Sequence, residues 1–209
     1  MNASMINSIM QTLALIELSI TCAVVCIWML QKLSPNPLPF AVKIFLILLI
    51  GNILFWPLGM DLPLVAYVRG ITGDLSIVLS LLLWSSLLPS HKPAPIAFKF
   101  AVVIIALCFY PLALGFEMID PYAWGYGSIV FLAAVLFFAL VCGLTNWNKG
   151  VWIIAMAIIA WAAHWHESAN LWDYLLDPFL AIWAICACIG VLYGRKRDKA
   201  RSGYLFRPG

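Results

Sequence analysis

The chain has 209 residues, of which 65% are hydrophobic and 10% are charged, and its net charge is +3. Soluble proteins are about 45–50% apolar and about 25% charged, so this composition excludes an ordinary soluble domain and indicates a polytopic membrane protein. A span takes about 20 residues, which leaves room for roughly seven helices and no sizeable extramembrane domain. Any chemistry is therefore expected at helix ends, in short loops or inside the bundle.

The apolar runs predict an all-α membrane protein, a compact bundle of about seven transmembrane helices. The expected spans cover residues 10–30, 38–58, 65–88, 96–115, 124–144, 150–165 and 172–193. Short breaks containing proline or asparagine separate them, so consecutive helices should be antiparallel neighbours. Because no Lys or Arg precedes Lys32, the first run is expected to remain as a span and not to be cleaved as a signal peptide. Residues 1–194 are then the bundle and 195–209 a basic tail.

Charged residues alternate between successive inter-helix segments. The bases that follow spans one, three and five are Lys32, Lys43, Lys92, Lys99 and Lys149, and the tail adds six more. The acids in the other segments are Asp61, Glu117, Asp120, Glu167, Asp173 and Asp177. Since Lys and Arg near span ends stay on the cytoplasmic side, the amino terminus is expected outside and the carboxyl terminus in the cytoplasm. The pattern predicts a multi-pass protein of the bacterial inner (plasma) membrane.

Three ionisable residues lie in apolar surroundings: Glu17 in the first span, and Arg69 and Asp74 in the third. A bare charge at membrane depth costs at least a few kcal/mol, so such residues should face inward and pair. We expect a network of these three side chains that joins the first and third helices. Two interpretations stay open, a structural clamp and a substrate-binding site.

The run 163–178 contains two histidines and three carboxylates. Asp173 and Asp177 are four residues apart, which places both on one face of a continuous seventh helix, and Asn170 lies one turn earlier. Like charges at this spacing repel each other and invite a cation. The candidate catalytic residues are Asp173, Asp177, His166 and Glu167, and Asn170 joins Arg69, Glu17 and Asp74 as candidate substrate-binding residues.

A divalent metal is one hypothesis for the same run. Imidazole and carboxylate ligands suit zinc or manganese, which makes His166, Asp173 and Asp177 the candidate metal ligands. Their spacing matches no established metal motif. The alternative is a polar turn at the water boundary, with acids that complement a helix amino end. The cofactor is otherwise unknown.

The polar side chains are expected to converge on one outer, acidic mouth of the bundle. Its candidate members are Glu17, Asp61, Arg69, Asp74, Glu117, Asp120, His164, His166, Glu167, Asp173 and Asp177. Three functions fit. The first is an accessory or assembly subunit of a cell-envelope complex, with the lipid bilayer and another membrane protein as partners. The others are a periplasm-facing enzyme acting on a lipid-linked substrate and a small proton- or cation-coupled transporter. Nucleic-acid binding is not expected, because the basic tail lacks interleaved aromatic residues.

Overall fold

The computed structural model describes residues 3–89, 92–115 and 119–205. Within these ranges, side chains are described from residue 8 to residue 194. Glu117 and the end of the tail lie outside the described residues, as do the side chains of the tail's bases. Within these ranges the chain forms helices and no strands, so the predicted all-helical fold is confirmed.

The described residues form nine α-helices and one 3-10 helix. The α-helices are α1 (Ala3–Leu33), α2 (Phe40–Phe55), α3 (Leu64–Thr72), α4 (Ile77–Ser85), α5 (Ile96–Ala113), α6 (Ile129–Leu144), α7 (Asn148–Ala162), α8 (Leu171–Leu175) and α9 (Pro178–Leu205). The 3-10 helix (Tyr122–Gly125) lies between α5 and α6.

Two of these helices are long and apolar enough to cross a membrane. They comprise Ser8–Leu33 and Ile96–Ala113. Four further helical segments are apolar but shorter: Phe40–Phe55, Ile129–Leu144, Asn148–Ala162 and Pro178–Gly194. A membrane association is therefore supported by length and composition.

The helices pack against one another around two clusters of buried apolar side chains. The sequential pairs α1 with α2 and α6 with α7 are in contact, and α5 packs on α9, which is distant in sequence. Ala157 in α7 and Ala184 in α9 are fully buried. Their small side chains allow neighbouring helix backbones to approach closely. The phenyl ring of Phe98 packs against the Trp147 indole, with ring centroids 4.7 Å apart.

Two of the predicted spans are interrupted. The third divides into α3 and α4, and the seventh divides into α8 and α9. Gly73 ends α3 in a left-handed conformation with φ of 70°, which glycine adopts at no steric cost. Asp177 precedes Pro178, and the residue before a proline is disfavoured in the α-helical conformation. The prediction of two continuous helices here is wrong.

The 3-10 helix lies against the loop that leads into α8. Asn170 is fully buried at this contact, and its Nδ2 donates to the carbonyl of Tyr122 at 2.9 Å. A Cβ added to Gly125 would lie 1.6 Å from Asn170 Oδ1 and 2.9 Å from a Trp172 ring carbon. The position therefore requires glycine for close approach.

We expect Gly125→Ala to lower the free energy of unfolding by about 1–3 kcal/mol, because buried side chains must move to accommodate the new methyl group. Gly70→Ala in α3 is the matched control, since a Cβ there meets nothing within 4 Å. The unfolding midpoint of each detergent-purified variant is measured by heating the protein and quantifying the remaining folded fraction by size-exclusion chromatography. Equal midpoints for the two variants would contradict this packing.

Candidate functional site

One carboxylate joins the two helix interruptions. Asp177 Oδ1 accepts a hydrogen bond from the Leu180 N–H at 2.8 Å, within the first turn of α9. Its Oδ2 accepts from the N–H of Ser76 at 2.8 Å and also from the Ser76 hydroxyl. The side chain is buried, with 5% exposed. Because helix amino ends carry partial positive charge, the α4 and α9 ends both stabilise this anion.

Ser76 is the other half of this junction. It is the N-cap of α4, and its Oγ accepts a hydrogen bond from the Leu79 N–H at 3.2 Å. The same hydroxyl donates to Asp177. Ser76 thus satisfies the start of its own helix while holding the start of α9 in place.

The predicted common face for Asp173 and Asp177 is not formed. Asp173 lies inside α8, whereas Asp177 follows the extended residue Leu176 and caps α9. The spacing argument assumed a continuous helix, and Pro178 prevents one by restricting the residue before it. The two carboxylates instead face one cavity from different elements.

This cavity, here the acidic cavity, has a volume of about 490 Å³. Its polar wall comprises Asp74, Tyr110, Tyr122, His166, Ser168, Asp173 and Asp177, and its apolar wall comprises Phe109, Ala113, Leu114, Leu176 and Pro178. Of the predicted site residues, four line it directly. The remaining four, which do not line it, are Glu17, Arg69, Glu167 and Asn170.

Asp74 is held by a guanidinium. Arg69 Nε donates to Asp74 Oδ1 at 2.6 Å, and Arg69 Nη2 donates to Oδ2 at 2.8 Å. This two-pronged geometry matches a planar guanidinium to a carboxylate. Glu167 approaches the same Arg69 at 3.5 Å with about half of its side chain exposed. The predicted pairing of Arg69 with Asp74 is present, and Glu167 takes the place expected for Glu17.

Asp173 is held by two neutral hydroxyl groups. Its Oδ2 accepts hydrogen bonds from the Tyr122 hydroxyl at 3.0 Å and from the Ser168 Oγ at 2.5 Å. Burial raises the pKa of the Tyr122 phenol, and the negative charge of Asp173 raises it further. The phenol therefore remains a proton donor. Since both donors are neutral, these contacts leave the Asp173 charge uncompensated.

Glu17 pairs with His166 and not with Arg69. Glu17 Oε2 lies 2.9 Å from His166 Nε2, and both side chains are at least 95% buried. The imidazole stacks on the Tyr174 ring with centroids 4.8 Å apart, and the Tyr174 hydroxyl accepts from the His166 N–H at 3.0 Å. This pair connects α1 to the segment that follows α7.

Two buried polar atoms in the cavity wall are unsatisfied. Neither Tyr110 Oη nor His166 Nδ1 has a hydrogen-bond partner among the described residues, and both residues line the acidic cavity. A buried polar group without a partner costs about 1–3 kcal/mol. Their position at one cavity indicates a place where a ligand could satisfy both.

The other predicted residues have different positions. Asn170 is a scaffold residue, because its Oδ1 accepts from the Trp172 N–H at 2.9 Å and so caps α8. Asp61 and His164 are exposed. Asp120 is exposed as well, and its Oδ1 accepts from the Tyr122 N–H at 2.9 Å.

The predicted metal ligands line the cavity but do not form a ligand group. His166 Nε2 is engaged by Glu17, and both oxygens of Asp177 accept hydrogen bonds from helix N–H groups. Across residues 3–89, 92–115 and 119–205, no three His, Cys, Asp or Glu side chains are grouped to hold a metal ion. We therefore make no metal proposal.

The sequence reasoning missed the hydroxyl groups of the site. Ser76, Ser168, Tyr110 and Tyr122 all contribute to the cavity or its junction. A local signal existed for Ser76, because serine is a preferred helix N-cap and this serine stands directly before an apolar run. The tyrosines resemble any other interfacial aromatic residues in sequence, so they carried no comparable signal.

We expect Asp177→Ala to lower the free energy of unfolding by about 3 kcal/mol, because it leaves the Ser76 and Leu180 N–H groups buried without an acceptor. The free energy of unfolding of Asp177→Asn should lie between those of Asp177→Ala and the wild type, since an amide has one acceptor oxygen where the carboxylate has two. Exposed Asp61 provides the control Asp61→Ala, which should match the wild type. The measurement is thermal unfolding in detergent, and an unchanged midpoint for Asp177→Ala would refute the role of this junction.

Comparison with known proteins finds no matching family model, no similar curated protein and no similar solved structure. The chemistry of the acidic cavity therefore carries the functional proposal by itself.

Proposed function

We propose that this chain is a seven-span protein of the bacterial inner membrane that carries a small cation, of the organic ammonium class, through the acidic cavity. The observation that carries the proposal is the meeting of two interrupted helices at Asp177, beside a cavity lined by two further carboxylates. Interrupted helices that meet at a buried polar site are typical of secondary transporters.

The seven-span topology follows when each interrupted pair counts as one crossing. The spans are then α1, α2, α3 with α4, α5, α6, α7, and α8 with α9. Alternating charge supports an outside amino terminus and an acidic cavity that faces the periplasm. Lys149 lies in the first turn of α7, and His166 follows the end of that helix. The helix is about 22 Å long, and this length separates the basic end of the bundle from its acidic end.

The charge balance of the cavity favours a cation. Arg69 neutralises Asp74, whereas neutral hydroxyl groups contact Asp173 and backbone dipoles contact Asp177. A low-dielectric cavity with excess negative charge concentrates cations. An anionic or lipid-phosphate substrate would be repelled by the same groups.

Aromatic rings and unsatisfied acceptors favour an ammonium group over a bare metal ion. Phe109, Tyr110 and Tyr122 line the cavity, and aromatic faces attract organic cations. Tyr110 Oη and a neutral His166 Nδ1 could each accept an N–H hydrogen bond. An ammonium group has several donors and can satisfy both of these atoms together with Asp173.

Two alternatives stay in view. An enzyme is favoured by the Ser168 hydroxyl, which donates to Asp173 at 2.5 Å in the arrangement of a nucleophile beside a base. An accessory or assembly subunit in the cell envelope needs only a stable bundle and a partner-facing surface. The carrier takes precedence because a purely structural bundle gives no reason for two unsatisfied polar atoms at an acidic cavity.

We expect ammonium, methylammonium or putrescine to raise the unfolding midpoint of the purified protein, because a ligand that binds the folded state stabilises it. Asp173→Asn should abolish this increase, and Tyr110→Phe should weaken it several-fold. Asp120→Asn is the matched control, since that acid is exposed and does not line the cavity. Sodium and potassium chlorides control for ionic strength.

Flux then distinguishes a carrier from the alternatives. Proteoliposomes with the wild type or Asp120→Asn should take up the radiolabelled stabilising amine faster than protein-free liposomes, whereas those with Asp173→Asn should not. Binding without flux would favour the enzyme. The absence of any amine-specific stabilisation would overturn the proposal.

The topology is tested separately by cysteine labelling. In a cysteine-free background, Ile119→Cys should react with an impermeant maleimide in intact cells, whereas Asn148→Cys should react only after permeabilisation. Both positions are exposed in the structure. The reverse pattern would place the acidic cavity toward the cytoplasm.

A further inference from the structure

A second polar cavity lies toward the basic side of the bundle, among α1, α4, α5, α7 and α9. It has a volume of about 440 Å³, and Lys99 and Lys149 both line it. Among its described lining residues none is acidic. This cavity, here the basic cavity, therefore has the opposite charge to the acidic cavity and is lined by different residues.

The two lysine ammonium groups have different surroundings. Lys149 Nζ donates to the Lys92 carbonyl at 2.6 Å and to Ser85 Oγ at 3.3 Å. Lys99 Nζ lies over the Trp183 ring, 5.5 Å from its centroid. A ring contact does not neutralise the Lys99 ammonium, so this group attracts an anion.

The remaining wall is apolar and reaches the surface of the bundle. Leu79 and Leu82 form its inner part, and Val25 and Trp28 form its edge with 36% and 44% of their surfaces exposed. Lys32 adds a third base at this edge, with its Nζ 3.7 Å from the centroid of the Trp28 ring. The cavity thus presents positive charge beside an apolar surface that would face acyl chains.

We propose that the basic cavity binds the phosphate headgroup of an anionic phospholipid. The ammonium group of Lys99, together with that of Lys32 at the edge, attracts the phosphodiester, and the apolar edge formed by Val25 and Trp28 takes the first part of an acyl chain. Basic pockets between transmembrane helices on the cytoplasmic side characteristically bind such headgroups. This proposal needs the membrane location but is independent of the carrier function.

The test titrates detergent-purified full-length protein with dioleoyl phosphatidylglycerol or phosphatidylcholine in mixed micelles and follows the unfolding midpoint. Phosphatidylglycerol should stabilise the wild type at lower concentration than phosphatidylcholine. Lys99→Gln should weaken its apparent affinity about fivefold, the effect of one charge near a membrane surface. Lys99→Arg should retain it, and Lys43→Gln on α2 is the matched control because that base does not line the cavity.

Two further measurements separate lipid binding from a loss of stability and from binding of a soluble anion. Native mass spectrometry counts bound lipid independently of stability, so a Lys99→Gln variant with a lower midpoint still reports its affinity. Inorganic phosphate and glycerol phosphate test for a soluble anion. Equal weakening by Lys99→Gln and Lys43→Gln would show diffuse surface attraction and overturn the site. Equal stabilisation by the soluble phosphates would overturn the lipid assignment.

Discussion

The Asp177 carboxylate is the contact on which the centre of the molecule depends. It accepts hydrogen bonds from the N–H of Ser76, the N-cap of α4, and from the N–H of Leu180 in the first turn of α9. A helix that begins inside a bundle has unpaired N–H groups, which cost several kcal/mol in a membrane unless an acceptor satisfies them. Because one buried anion satisfies both ends, α4 and α9 can begin beside each other. The acidic cavity lies beside the point where α4 and α9 begin.

Sequence reasoning predicted one of the two ion pairs of the site and missed the other. The ion pair of Arg69 with Asp74 was expected from depth and charge alone, and it is present. Glu17 was expected in the same network, but it contacts His166. Hydropathy gives the depth of a residue along the membrane normal, whereas its partner depends on the rotation of each helix about its own axis. One sequence without packing information does not determine that rotation.

The interruptions were hidden for a different reason. A hydropathy window of about 19 residues averages over a break of four, so residues 65–88 read as one span. Gly73 and the Asp177-Pro178 pair both carried local signals against a continuous helix. Because α8 and α9 are separate helices, the four-residue spacing of Asp173 and Asp177 does not place the two side chains on one helix face. Their shared cavity is a product of tertiary structure.

The shortness of α4 has an electrical consequence. This helix begins at the floor of the acidic cavity and ends near the basic cavity, and its nine residues span about 14 Å, roughly half of a hydrocarbon core that is about 30 Å thick. In the proposed seven-span arrangement, with solvent ions filling the acidic cavity, the transmembrane voltage would fall across this thin partition and not across the whole bilayer. A charge crossing only this partition would then experience the full membrane potential, about 2.3 kcal/mol per 100 mV.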